Sequence, residues 1–111
     1  MNHAVRVHET GDASVMQWEE VSVADPAAGE VSLRHTAIGL NFIDIYFRAG
    51  TYPSPQLPFI PGLEAAGVIE SIGENVSGFE VGDRVAYASP PLGSYAESRL
   101  MPAGRLVKLP D

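Results

Sequence analysis

Apolar and polar residues alternate with a period of two through most of this chain, and the period changes once. Ala4-Val5-Arg6-Val7-His8 sets Val5 and Val7 against Arg6 and His8, as a half-buried strand requires. Met16 to Val23 is a second β-like run, ending in the alternation Val21, Val23. The turn signal Thr10-Gly11-Asp12 lies between them, so the two are expected to pair antiparallel. After the break at Asp25-Pro26-Ala27-Ala28-Gly29, Glu30 to Ile38 places Val31, Leu33, His35 and Ala37 on one face and Ser32, Arg34 and Thr36 on the other. His35 falls on the apolar side, where a hydrogen-bonded core histidine is a simpler reading than a ligand or a base.

Beyond Gly39 the period becomes helical. Phe42, Ile45, Tyr46 and Ala49 stand at i, i+3, i+4 and i+7, with Ile43 and Phe47 on a neighbouring face, which predicts a short helix buried on most sides. Asn41 is placed as its N-cap, Asp44 lies in the first turn where a carboxylate suits the helix dipole, and Gly50 stops the last turn. Asn41, Asp44 and Arg48 form a narrow polar stripe. On spacing alone it reads as a solvated edge with an i, i+4 pair between Asp44 and Arg48.

Thr51 to Pro61 contains four prolines and is expected to be a stiff surface connection with Tyr52 at its entry. Gly62 to Gly73 gives a small-residue approach and then a strand, with Gly67 marking a bulge or a close backbone approach. Asn75 to Gly82 is turn-rich, and Asp83 to Ala88 is a strand. Pro90-Pro91-Leu92-Gly93 turns the chain into Ser94 to Met101, and Leu106 to Leu109 makes a last short strand. No repeat, low-complexity tract or interdomain linker interrupts this order.

Composition narrows the picture. A chain of 111 residues, 45% hydrophobic, suffices for one core, and nine prolines with eleven glycines favour a mainly β domain of short elements. Fourteen acidic against seven basic residues, a net charge of −7, argue against nucleic acid and against an anionic membrane surface as partners. No cysteine is present, which removes disulfides, thiolate metal sites and cysteine nucleophiles. The N-terminus lacks the apolar core of a signal peptide, and no apolar run approaches the roughly 20 residues of a membrane span, so the cytoplasm is the expected compartment. Candidate chemistry concentrates between Asn41 and Gly73, where an asparagine, an aspartate and two tyrosines fall close together.

Those same residues carry a family resemblance. Gly62-Leu63-Glu64-Ala65-Ala66-Gly67, continuing to Gly73 and Val76, resembles the G-H-E-x-x-G-x5-G-x2-V signature of medium-chain dehydrogenases, with leucine in place of the histidine. Val81-Gly82-Asp83-Arg84-Val85 resembles the family's next turn and strand. Gly39 to Tyr46, with Arg48-Ala49-Gly50-Thr51-Tyr52, looks like the quinone oxidoreductase, or zeta-crystallin-like, branch. The resemblance implies a GroES-like, partly open β-barrel with short helices over residues 1–111, the N-terminal substrate domain of an NADPH-dependent quinone oxidoreductase. It also implies that the nucleotide-binding Rossmann domain lies outside this chain, because no glycine-rich dinucleotide fingerprint is present.

The zinc-dependent relatives need a cysteine and a histidine at positions that look like Asn41 and Leu63, so the resemblance points to a metal-free enzyme. It places Asn41, Phe42, Asp44, Tyr46 and Tyr52 against the NADPH cofactor, with Tyr46 and Tyr52 as the catalytic pair facing a small quinone or enone. Glu64 reads as a structural carboxylate bonded to nearby backbone, and Tyr87 and Tyr95 as core or turn residues. The resemblance further implies a homodimer for the full-length protein and no turnover by these 111 residues alone. Two other readings stand beside this one: a zinc-free reductase of the enoyl type, and a stand-alone GroES-like binding module.

Overall fold

A computed structural model describes residues 2–54 and 56–110. Pro55, one of the four prolines of the expected stiff loop, lies outside it with the terminal Met1 and Asp111. The first two period-two runs fold as β1 (Asn2–Val7) and β2 (Met16–Val21), an antiparallel ribbon with Val5 opposite Trp18. Between them, Asp12 caps a 3-10 turn over Ala13–Val15 by accepting from the Ser14 N–H at 2.9 Å. In β1 the buried residues are Ala4 and Val7, with Val5 only half-buried, which departs from the expected alternation. Loops on the far edge of the strand explain this. Val5 donates to the Tyr95 carbonyl, Val7 exchanges both backbone bonds with Phe59, and Ala4 bridges to Ala96.

The remaining strands are β3 (Glu30–Ile38), β4 (Ala65–Ile72), β5 (Arg84–Tyr87), β6 (Ser98–Pro102) and β7 (Val107–Lys108). They form one antiparallel sheet in the order β6-β3-β4-β5-β7. The fold is therefore mainly β, as expected. Among the described residues, however, the two sheets stay open rather than closing into a barrel, and the expected short helices amount to one α-helix and two 3-10 turns.

The core lies on the sheet face built by Val31, Leu33, Ala65, Ile69, Val85, Tyr87, Met101 and Leu106. Leu33 is fully buried there, so truncation to alanine should cost about 2–5 kcal/mol. Val31, Leu33 and His35 turn inward as the alternation predicts, but Ala37 is exposed because the β3–β4 register slips between His35 and Ala37. The slip falls at Gly67, where a Cβ would lie 2.4 Å from the Arg34 carbonyl oxygen. The bulge and the close approach expected of Gly67 thus occur at one place.

Helix α1 (Phe42–Ala49) follows β3. Asn41 is extended at its N-cap and Gly50 is left-handed at its end, with φ of 86°, as the spacing predicts. Its faces are the reverse of the expectation. The apolar stripe Phe42, Ile45, Tyr46 and Ala49 points outward, with Phe42 80% exposed, whereas Asp44 of the polar stripe is the buried residue at 4%. Ile43, Asp44, Phe47 and Arg48 make the inward line. Periodicity identifies an apolar face but not what covers it. In this helix polar bonds to loops, rather than the apolar stripe, fix the orientation.

Candidate functional site

A cavity of about 570 Å³ opens beside α1, lined by Leu40, Asn41, Phe42, Asp44, Ile45 and Arg48 of the helix region and by Met16, Pro61 and Tyr95 from elsewhere. Asp44 is its organising residue. Oδ2 accepts from the Asn41 backbone N–H at 3.0 Å and from the Tyr95 hydroxyl at 2.7 Å. Oδ1 is buried and meets no donor among the described residues. An acceptor left unsatisfied in the interior costs about 1–3 kcal/mol, and more when charged, which sets Asp44 apart from the other lining residues.

The expected pair between Asp44 and Arg48 is not among the ion pairs of the described residues. Each group has taken another partner. Arg48 donates from Nε to the Gly11 carbonyl at 3.2 Å, and the Gly11 N–H donates back to the Arg48 carbonyl at 3.0 Å. Thr10 packs beside this joint, where a Cβ on Gly50 would lie 3.2 Å from its side chain. The helix is thus tied at its first turn by Tyr95 and at its last turn by Gly11.

Tyr95 reaches Asp44 because Gly62 has no side chain. At φ of 105°, a Cβ on Gly62 would stand 2.7 Å from both Tyr95 Cδ1 and Ser94 Cβ. The Tyr95 N–H donates to the Pro61 carbonyl at 2.9 Å, and the Gly93 N–H donates to the Gly62 carbonyl at 3.0 Å, which clamps the two segments together. Burial, and then the Asp44 carboxylate, raise the pKa of the Tyr95 phenol well above its ordinary value, so it remains a donor at neutral pH.

Of the residues expected at the site, Asn41, Phe42 and Asp44 line the cavity together. Tyr46 and Tyr52 lie outside that lining and form a ledge of their own. Their rings meet edge-on at 5.3 Å, Tyr52 also packs edge-on against Phe47 at 5.8 Å, and the Tyr52 N–H donates to the Tyr46 carbonyl at 3.1 Å. Both rings remain over two-fifths exposed. Tyr95, read from sequence as a core or turn residue, is the cavity-lining residue that reading missed. The one available signal was Gly62, whose bareness implies a close neighbour but does not name it.

A second polar cluster supports the core reading of His35. Its Nδ1 donates to the Ala96 carbonyl at 2.7 Å, which leaves Nε2 to accept from the Tyr87 hydroxyl at 2.9 Å. The Tyr87 oxygen also meets Ser94 Oγ at 2.8 Å and Arg99 Nη1 at 3.2 Å, and the Arg99 guanidinium sits 5.2 Å from the Tyr87 ring centre. Burial above all, and then Arg99, lower the His35 pKa, and the bond to Ala96 only partly offsets them. Tyr87 is 4% exposed and is a core residue, as expected. Glu64 lies with its side chain against the Gly39 backbone, where a Cβ would fall 2.1 Å from Oε1. That is a packing contact, without the side-chain bond to backbone that its structural reading supposes. Among the described residues, no three His, Cys, Asp or Glu side chains converge as a metal site.

Residues 27–111 match the alcohol dehydrogenase GroES-like domain family. The chain is 48% identical over 101 residues to the quinone oxidoreductase of Pseudomonas aeruginosa, covering 91% of this chain and 31% of the relative. It is 47% identical over 111 residues to the 2-haloacrylate reductase of a Burkholderia species, covering 96% and 33%. The crystal structure of Escherichia coli quinone oxidoreductase complexed with NADPH superposes with a TM-score of 0.95 at 41% identity, covering 97% of this chain and 33% of that one. The chain thus spans about a third of the length of the relatives it matches. No helix among the described residues is long and apolar enough to cross a membrane.

Proposed function

The chain belongs to the alcohol dehydrogenase GroES-like domain family, and we propose that it is the N-terminal substrate domain of a zinc-independent NADPH:quinone oxidoreductase. One observation carries this reading: an outward apolar surface at the start of α1, with Leu40 at 77% and Phe42 at 80% exposure, borders a cavity lined by the buried Asp44. Such a surface is half of a cleft. The complete enzyme would carry a nucleotide-binding domain over this face and, by the same family reasoning, would assemble as a homodimer.

The residues present fit the nicotinamide end of NADPH. Leu40, Phe42 and Ile45 offer apolar walls for a flat ring, and Asn41 and Asp44 add polar groups to the same lining. When bound, the cofactor supplies the hydride, so this domain need only orient, exclude water and stabilise developing charge. Asn41, Phe42 and Asp44 would position the cofactor. Tyr46 and Tyr52 would flank cofactor and substrate as an aromatic ledge, with a hydroxyl available to donate to a quinone oxygen as negative charge builds there. A reduced quinone can take its protons from water, so proton transfer from tyrosine is not required.

A second reading is favoured by the likeness to the 2-haloacrylate reductase: reduction of an activated carbon–carbon double bond, in which a tyrosine would protonate carbon. The full-length gene product, assayed for NADPH oxidation, separates the two. Turnover with a quinone and not with an enoyl thioester or a 2-haloacrylate is expected, and the opposite pattern overturns the quinone reading. These 111 residues alone should show no turnover, and a micromolar NADPH dissociation constant measured on them would refute the two-domain assignment.

A further inference from the structure

We propose that Tyr95 is a positioning residue of this enzyme: its hydroxyl holds the Asp44 carboxylate at the first turn of α1, so that Asp44 and the helix start stay in the lining of the cavity instead of turning toward Arg48. The inference rests on the reading of that cavity as the cofactor cleft. It assigns a role to a residue outside the helix and loop that carry the family resemblance.

Three observations converge. Asp44 has a competing partner one turn away, since Arg48 stands at i+4, the spacing at which a carboxylate and a guanidinium normally pair. The pair is absent among the described residues, and each group has another partner: Oδ2 is held by the Asn41 N–H at 3.0 Å and the Tyr95 hydroxyl at 2.7 Å, and Arg48 Nε donates to the Gly11 carbonyl at 3.2 Å. Oδ1 is left buried and without a donor, although pairing with Arg48 would have satisfied it. Tyr95 is itself fixed by Gly62, which admits its ring, and by its backbone bond to Pro61 at 2.9 Å. Without the phenol, the Asn41 N–H and the Arg48–Gly11 bond would be left to keep the carboxylate from Arg48. The hydroxyl therefore acts through Asp44, to which it is bonded.

The test is Tyr95→Phe in the full-length gene product, which removes the hydroxyl and leaves the ring on Gly62. A crystal structure of the variant should place Asp44 within 4 Å of the Arg48 guanidinium. Calorimetric titration with NADPH should give a dissociation constant raised by about tenfold, with kcat at saturating NADPH little changed. Because the two residues act as one unit, Tyr95→Phe combined with Asp44→Asn should bind no more weakly than Asp44→Asn alone. A variant that loses thermal stability but binds NADPH as the parent does, or in which Asp44 does not move, overturns the proposal. If the parent protein binds no NADPH, the cofactor reading fails by itself, and the position of Asp44 in the variant crystal still decides the role of Tyr95.

Discussion

The Tyr95 hydroxyl and the Asp44 carboxylate meet at 2.7 Å across 51 residues of chain, and their bond fastens α1 to the segment that precedes β6. A hydrogen bond to a charged acceptor contributes about 1.5–3 kcal/mol. Tyr95→Phe should therefore lower the urea midpoint of this chain by a corresponding amount with an unchanged m-value. An unaltered midpoint would mean that the bond is not formed in solution.

Two glycines with similar backbone angles should respond very differently to alanine. At Gly62, φ of 105° combines with a Cβ 2.7 Å from Ser94 and Tyr95, so Gly62→Ala should cost about 3 kcal/mol or more. At Gly78, φ of 85° comes with nothing within 4 Å, and Gly78→Ala should cost only about 1 kcal/mol of backbone strain. Equal losses in chemical denaturation would show that the Tyr95 ring does not rest on Gly62.

His35 predicts a pH dependence. Its folded pKa lies below the unfolded value of 6.5, so between the two the unfolded chain binds more protons and stability falls as pH drops. The loss should begin as pH falls through the unfolded value and continue toward the folded one. Urea midpoints at pH 7.5 and pH 5.5 should differ more for the parent than for His35→Gln. A slope that the substitution leaves unchanged would assign the effect to other groups.

The outward helix face gives a prediction with two halves. Phe42→Ser replaces a side chain that is 80% exposed in this chain, so it should alter the stability of the 111 residues by no more than about 0.5 kcal/mol. In the full-length gene product the same change should weaken NADPH binding measurably. Equal indifference in both would mean that nothing covers this face.

The tyrosine ledge separates the two reductase readings. General acid catalysis contributes about 10²–10⁴ in rate. For quinone reduction, Tyr52→Phe should cost less than about tenfold in kcat/KM, because the phenol only donates a hydrogen bond. A loss above a hundredfold would indicate proton delivery by Tyr52 and the carbon–carbon double-bond chemistry.

Local rules carried most of the fold. Period-two runs located the strands, the turn at Gly11 located the ribbon, and Asn41 and Gly50 bounded α1 to the residue, because each depends on neighbours in the chain. The faces of α1 were beyond such rules. An apolar stripe at i, i+3, i+4 and i+7 looks the same whether it faces its own core or a surface covered by something else, so Phe42 and Asp44 were exchanged. Cavity-lining residues on one local segment, Asn41, Phe42 and Asp44, were legible together. Tyr95 was not, because its partner is set by tertiary packing over Gly62 and no periodicity encodes it.

The two ties on α1 have a kinetic consequence. An eight-residue helix is too short to persist alone in water, so α1 depends on its fastenings at Gly11 and Tyr95, which come from 37 residues before Arg48 and 51 residues after Asp44. Both loops must close before the helix is held, whereas the β3–β4 pairing can form earlier around its buried apolar residues. We expect α1 to be among the last elements to consolidate and the first to open. In native-state hydrogen exchange, its amides should be protected less than those of Leu33 and Ile69, so the surface proposed to receive the ligand would also be the least cooperative part of the domain.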